Sequence, residues 1–172
     1  MNSKSKPEAT EATEGTENLT QLIIGGAIEV HRHVGPGLLE SAYEECLCHE
    51  LSQRGLSLRR QVDLPVSYKG IKLDCGYKMD LVVEDKVVLE LKAVDQLLPI
   101  HSAQLLTYLK LSGKRVGLLL NFHAPILTKG IKRLLNDFSV SSVSSVPSGF
   151  DFKNSKNSVS PRLCGEESAE AL

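Results

Sequence analysis

The sequence lacks the features of membrane, secreted and zinc-ribbon proteins. No apolar stretch approaches the roughly 20 residues that a membrane-spanning helix needs. The first 18 residues contain no apolar stretch either, so we expect no secretory signal and predict a cytoplasmic location. The four cysteines show no CxxC spacing, which argues against a disulfide scaffold. The formal net charge is only −1, so overall charge does not point to a polyanionic partner.

Both ends of the chain are poor in large apolar residues. Residues 1–18 combine four glutamates with threonine and lysine, and residues 139–172 are rich in serine, asparagine, lysine and glutamate. Such segments cannot bury enough apolar area to offset the entropy lost on ordering, so both are predicted to be disordered tails. Residues 19–138 are then predicted to form one domain that is long enough to fold alone.

Hydrophobic periodicity in this central region predicts nine elements in the order α-α-β-β-β-β-α-β-α. A helix that crosses between two apolar strands implies an α/β fold, with a mixed β-sheet flanked by helices on both faces. The helices are predicted over residues 19–33, 39 to about 55, 99–111 and 128–138. The strands are predicted over residues 58–68, 77–83, 87–93 and 116–121, with one further strand that begins at residue 71.

Two opposite charges share one face of the strand that begins at Val87. Glu90 and Lys92 are two residues apart, and alternate side chains of a strand project from the same side. If residues 84–86 form a three-residue loop, Asp80 lies directly opposite Glu90, with Cβ atoms about 4.5–5.5 Å apart.

Two carboxylates at this distance repel each other, unless one is protonated or a cation lies between them. Mg²⁺, which prefers oxygen ligands, would fit between Asp80 and Glu90. Two alternatives stay open. Glu90 and Lys92 could simply face solvent on an edge strand. A two-residue loop would instead place Asp80 and Glu90 on opposite faces of the sheet.

Two sequence patterns resemble motifs of known families. Asp80, nine intervening residues and Glu90-Leu91-Lys92 resemble the D…ExK motif of the PD-(D/E)XK nuclease superfamily. The segment 37–43, Gly-Leu-Leu-Glu-Ser-Ala-Tyr, resembles the signature of the GxxExxY family, which is placed in that superfamily. The resemblance covers roughly residues 22–135 and implies a restriction-endonuclease-like fold.

The resemblance also implies roles for individual residues. Asp80, Glu90 and the Leu91 carbonyl would bind Mg²⁺, or alternatively Mn²⁺, and Lys92 would position the attacking water. Glu40 would support the metal as an additional ligand. The alternative for Glu40 is a favourable interaction of its charge with the N-terminus of its own helix.

For three further side chains, the sequence allows two interpretations each. Gln104 and Tyr108 resemble the QxxxY element of the nuclease domains in recombination helicase-nucleases, which implies that they line the active site. The alternative is a partly buried pair that is satisfied by backbone groups. Glu44 lies one helical turn after Glu40 on the same helix face; it either assists the metal site or faces solvent, and the solvent-facing interpretation is favoured.

The leading hypothesis is therefore a Mg²⁺-dependent nuclease that hydrolyses phosphodiester bonds of nucleic acid, with DNA favoured over RNA as substrate. The alternative is a non-catalytic nucleic-acid-binding or regulatory module that keeps the nuclease fold. A homodimer is a further hypothesis, and no membrane partner is expected.

Overall fold

The structure is a computed structural model that describes residues 8–73 and 76–136. The described residues all belong to one compact unit. The predicted tail at 139–172 and the first seven residues lie outside the described part. Within that part, no helix combines the length and apolar character needed to cross a membrane.

The described elements comprise three α-helices, one 3₁₀ turn and seven strands. The helices are α1 (Glu8–Val34), α2 (Glu40–Gln53) and α3 (Pro99–Ser112), and the 3₁₀ turn spans Leu127–Lys129. The strands are β1 (Leu58–Asp63), β2 (Val66–Tyr68), β3 (Ile71–Leu73), β4 (Lys78–Val83), β5 (Val87–Lys92), β6 (Val116–Asn121) and β7 (Ile131–Leu135).

Five strands form a mixed sheet in the order β1-β4-β5-β6-β7. The central β5 and β6 run parallel, and the other neighbouring strands are antiparallel. This confirms the predicted α/β class, because α3 makes the crossover between the two parallel strands. The strands β2 and β3 form a separate hairpin, where Lys69 and Gly70 both have positive φ as a type I′ turn requires.

Helices cover both faces of the sheet, as predicted. On one face, α1 and α2 pack on β5 and β6 through a core that includes Leu47 and Leu89. On the other face, α3 packs through Leu105 against Val88. Side chains alternate along a strand, so Glu90 lies on the same face of β5 as Val88, facing α3.

The helix predicted over residues 128–138 is wrong, because the structure has the 3₁₀ turn and β7 there. Strand β6 is buried along its whole length, so the backbone groups on its outer edge need partners. Strand β7 supplies them in antiparallel register, from Val116↔Leu135 to Leu120↔Ile131. Sheet pairing outweighs the helix propensity of the lysine, arginine and leucines in β7.

Two other predicted boundaries also need correction. Helix α1 begins at Glu8, so residues 8–18 of the predicted disordered tail belong to this helix. Glu17, within this stretch, forms an ion pair with Arg133 of β7. The strand predicted over 58–68 is divided into β1 and β2 around Pro65, which has no N–H to donate to a ladder.

Candidate active site

The hairpin of β4 and β5 has the register predicted for a three-residue loop. Val83 pairs with Val87, and the pairing continues to Leu81 and Leu89. At the next position, the side chain of Asp80 reaches the backbone of β5, where its Oδ2 accepts a hydrogen bond of 2.8 Å from the Leu91 N–H. The hairpin register thus places the Asp80 carboxylate against the Glu90-Leu91-Lys92 segment.

Distorted backbone in β1 accompanies this placement of Asp80. Arg60 pairs with Leu81 and Val62 with Met79, so Gln61 stands opposite Asp80 in the ladder. Gln61 has a φ of 46°, in the left-handed region that non-glycine residues rarely adopt. This distortion could not be predicted, because Gln61 lies in a stretch with ordinary strand alternation.

The Glu90 carboxylate is buried, with only 2% of the residue exposed. Its Oε1 accepts a hydrogen bond of 2.7 Å from Nζ of Lys92, so the two charges predicted to share a face of β5 are in contact. Its Oε2 is buried and has no hydrogen-bond partner among the described residues. Leaving a buried carboxylate oxygen unpaired is costly, so this atom marks a position where a ligand would be stabilised.

Burial is the largest cause of raised pKa values at both Glu90 and Asp80. Burial, followed by the charge of Asp80, raises the pKa of Glu90 to about 7, although Lys92 opposes the shift. Burial also raises the pKa of Asp80, against the opposing effects of the Leu91 hydrogen bond and of Lys92. Since one lysine does not fully compensate the two carboxylates, a cation would be favourable here.

Glu40 reaches the same region from the first turn of α2. Its Oε1 accepts a hydrogen bond of 2.9 Å from the N–H of Ala93, directly after Lys92. Glu40 and Asp80 line a common cavity of about 270 Å³. The negative charge of Glu40 also contributes to the raised pKa of Glu90. The structure therefore places Glu40 in one cavity with Asp80, while Glu90 and Lys92 are not among the described residues that line this cavity.

A family model described as the PD-(D/E)XK nuclease superfamily matches residues 17–134. The chain belongs to this superfamily. No curated protein and no solved structure matches it. Membership in the narrower GxxExxY family remains a prediction. Nucleases of the PD-(D/E)XK superfamily generally use divalent metal ions, so the donor atoms of this member can be compared with what such an ion needs.

The oxygen donors of this PD-(D/E)XK protein fit a hard divalent cation with few protein ligands. The described residues contain no group of three or more His, Cys, Asp or Glu side chains arranged to hold a metal. Mg²⁺, however, is commonly bound by one or two carboxylates and retains several waters. Asp80 and the unpaired Oε2 of Glu90 are donors of that kind, whereas a role for the Leu91 carbonyl as a ligand stays a prediction.

Helix α3 places Tyr108, from the predicted QxxxY pair of this nuclease-superfamily member, in one hydrophobic cluster with Val88, two residues before Glu90 in β5. Gln104 Nε2 donates a hydrogen bond of 2.7 Å to the hydroxyl of Tyr108, so the two side chains satisfy each other. Burial raises the pKa of Tyr108, and the negative charges of Glu90 and Asp80 raise it further. Tyr108 is therefore close enough to the carboxylates to interact with them electrostatically.

The interpretation of Glu44 as a solvent-facing residue is wrong. Glu44 is buried, and its carboxylate accepts hydrogen bonds of 2.8 Å from Nε of Arg60 and 2.7 Å from Nε2 of Gln61. It thereby holds the distorted part of β1 that faces Asp80. Its spacing from Glu40 correctly places both on one helix face, but the partners in β1 become visible only in the fold.

Tyr43, the last residue of the GxxExxY-like segment, holds the start of α2 in place relative to β5. Its hydroxyl donates to the carbonyl of Gly35 at 2.7 Å and accepts from the N–H of Leu38 at 3.0 Å. Its ring stacks on Phe122 at a centroid distance of 4.5 Å. The N–H of Phe122 in turn donates to the Lys92 carbonyl. Tyr43 therefore links the loop before Glu40 to the end of β5.

Proposed function

We propose that this chain is a Mg²⁺-dependent nuclease that hydrolyses phosphodiester bonds of DNA. The observation that carries the proposal is the buried, unpaired Oε2 of Glu90. The other oxygen of this carboxylate forms an ion pair with Lys92, and the negative charge of Asp80 contributes to its raised pKa. Superfamily membership supports nuclease-type activity at a coarser level. The preference for DNA over RNA, the cytoplasmic location and the homodimer remain predictions.

Asp80, Glu90 and the Leu91 carbonyl would hold the metal ion, and Glu40 would support it from α2. When bound, a divalent cation neutralises phosphate charge and lowers the pKa of a coordinated water. Glu90 must lose its proton to serve as a ligand, and its raised pKa makes that loss dependent on pH near 7. We therefore expect metal affinity to increase as the pH rises through this range.

Lys92 acts in this proposal as a hydrogen-bond donor. Burial lowers the pKa of Lys92, but the hydrogen bond and charge of Glu90 outweigh burial, so that its pKa is above the ordinary value. The ammonium stays protonated at neutral pH and does not serve as a general base. It instead orients the attacking water or stabilises negative charge that develops on the phosphate.

Cleavage of supercoiled plasmid, single-stranded DNA and single-stranded RNA tests the proposal, each with Mg²⁺, Mn²⁺ or EDTA. We expect metal-dependent cleavage by the natural chain. Asp80→Asn and Glu90→Gln should each reduce it by at least about 100-fold, because each removes a charge needed for transition-state stabilisation. Glu29→Gln is the matched control, since Glu29 lies on α1 and pairs with Arg32.

Circular dichroism and a thermal melt establish whether each variant is folded. Equal cleavage by the natural chain and by Glu90→Gln would contradict the proposal and indicate a contaminating nuclease. DNA binding that depends on salt but not on metal or Glu90, with no cleavage, would instead support the non-catalytic alternative.

A further inference from the structure

A second cavity lies beside the Gln104–Tyr108 pair, on the α3 side of the sheet. Its volume is about 520 Å³, within the range of small-molecule binding sites. Its apolar wall includes Val66, Tyr77, Ile100 and Leu111, while Gln104 and Tyr108 contribute polar groups.

The lining of this cavity suits a flat and uncharged ligand. Among the described residues that line it, no side chain carries a charge, so this lining offers nothing to a phosphate or a metal ion. Tyr77 is 50% exposed, and its ring packs against that of Tyr108 in a T-shaped arrangement with a centroid distance of 6.3 Å. Ile100 is 65% exposed, so its apolar side chain is accessible to a ligand in the cavity. Planar heterocycles with polar edges match an aromatic wall with nearby amide and hydroxyl groups.

The cavity is connected to the candidate active site through one residue. Tyr108 lines the cavity, accepts the hydrogen bond from Gln104 and packs in one cluster with Val88, which lies two residues before Glu90 on the same face of β5. A ligand in the cavity would therefore lie next to a side chain that packs on the strand of Glu90. This continuity favours part of the substrate as the occupant.

We propose that this cavity binds one unstacked nucleobase of a nucleic-acid strand, adjacent to the phosphodiester at Asp80 and Glu90. The inference rests on the proposed nuclease function and specifies its substrate. A base within a duplex is paired and stacked on both sides, so it must leave the stack before it can enter such a cavity. The chain should accordingly bind single-stranded or frayed nucleic acid in preference to a blunt duplex, with Tyr77 as the stacking residue.

Binding in EDTA tests this inference separately from catalysis. The probes are fluorescein-labelled oligothymidylate, an abasic oligonucleotide of equal length and charge, and a blunt duplex, followed by fluorescence anisotropy. The natural chain should bind oligothymidylate more tightly than the abasic probe. Tyr77→Ala should weaken binding of oligothymidylate about tenfold and leave the abasic probe unchanged, as expected for loss of one stacking contact.

Two further variants make the test specific. Tyr68→Ala is the matched control, because Tyr68 is 60% exposed in β2 and does not line the cavity. Ala103→Trp should fill the cavity from the exposed side of α3 and reduce oligothymidylate binding as Tyr77→Ala does. Thermal melts of all three variants show whether they are folded.

Equal affinity of the natural chain for oligothymidylate and the abasic probe would overturn the inference, as would equal effects of Tyr77→Ala and Tyr68→Ala. Sedimentation velocity that shows a dimer dissociated by Ala103→Trp would also overturn it, since a second copy would then cover the cavity. Cleavage that depends on Asp80, without base-dependent binding, would leave the proposed nuclease intact and reject only the nucleobase site. Base-dependent binding without any cleavage would support the nucleobase site and reject the proposed nuclease activity.

Discussion

Nζ of Lys92 lies 2.7 Å from Oε1 of Glu90, and both side chains project from the same face of β5. The Glu90 side chain is 2% exposed and that of Lys92 is 15% exposed, so the ion pair is largely removed from water. A buried pair of this kind is rarely retained for stability alone, because desolvation offsets much of the attraction. Together with the unpaired Oε2, this arrangement is better explained as a site prepared for a ligand.

Stability of the metal-free protein should depend on pH through Glu90. Its pKa rises from 4.5 to about 7 on folding, so between these values the folded state holds a proton that the unfolded state releases. The resulting stabilisation is fully present below about pH 4.5 and is lost as the pH rises to about 7. It amounts to about 3 kcal/mol, from about 1.4 kcal/mol per pKa unit.

Urea denaturation in EDTA at pH 5 and pH 8, on the natural chain and on Glu90→Gln, measures this effect. Glutamine does not titrate, so the variant should become more stable relative to the natural chain as the pH rises. A difference in unfolding free energy that is the same at both pH values would contradict the raised pKa.

Lys92→Met should abolish cleavage while the protein remains folded. The substitution keeps much of the apolar stem but removes the ammonium, so Glu90 loses its hydrogen-bond donor. Cleavage at saturating substrate should decrease by about 100-fold or more. Lys86→Met is the control, because Lys86 is exposed in the loop before β5, at the opposite end of that strand. Cleavage rates of the natural chain and Lys92→Met that agree within twofold would show that Lys92 has no role in cleavage.

Two substitutions of Glu40 separate its charge from its hydrogen bond. Glu40→Gln keeps an oxygen that can accept from the Ala93 N–H, whereas Glu40→Ala removes the acceptor. If the charge of Glu40 supports the metal, calorimetric titration with Mn²⁺ should show weaker binding for both variants. Normal Mn²⁺ affinity in Glu40→Gln, with loss only in Glu40→Ala, would show that Glu40 serves only to position the end of β5.

Tyr43→Phe should destabilise the protein by about 1–2 kcal/mol, because the hydroxyl bonds to Gly35 and Leu38 are lost while stacking on Phe122 is kept. The midpoint of urea unfolding measures the change. Tyr68→Phe is the control, since Tyr68 is exposed on the β2–β3 hairpin and should tolerate the loss of its hydroxyl. A change for Tyr43→Phe no larger than that for Tyr68→Phe would show that the Tyr43 hydroxyl does not stabilise the fold.

The parts of the site that the sequence predicted depend on local spacing. The position of Glu90 and Lys92 on one face follows from strand alternation, and the approach of Asp80 follows from the length of the loop at residues 84–86. Both could be inferred without knowledge of the rest of the fold. Helix α3 and the buried strand β6 were likewise indicated by Pro99 and by an uninterrupted apolar run.

The parts that were missed depend on contacts between distant segments. Strand β7 exists because β6 needs a partner along its outer edge, which no pattern within residues 128–138 reveals. Glu44 is buried because Arg60 and Gln61 of β1 supply its hydrogen bonds. The early start of α1 is supported by the ion pair between Glu17 and Arg133, which lie far apart in the chain.

The central claim is that Asp80 and Glu90 bind a common divalent ion. Crystals grown with Mn²⁺ and measured for anomalous scattering test it most directly. We predict a single strong peak about 2.0–2.2 Å from carboxylate oxygens of both residues, with the Leu91 carbonyl as a further ligand and Oε2 of Glu90 no longer unpaired. Absence of a peak at this position under saturating Mn²⁺, or a peak held by other residues, would contradict the claim.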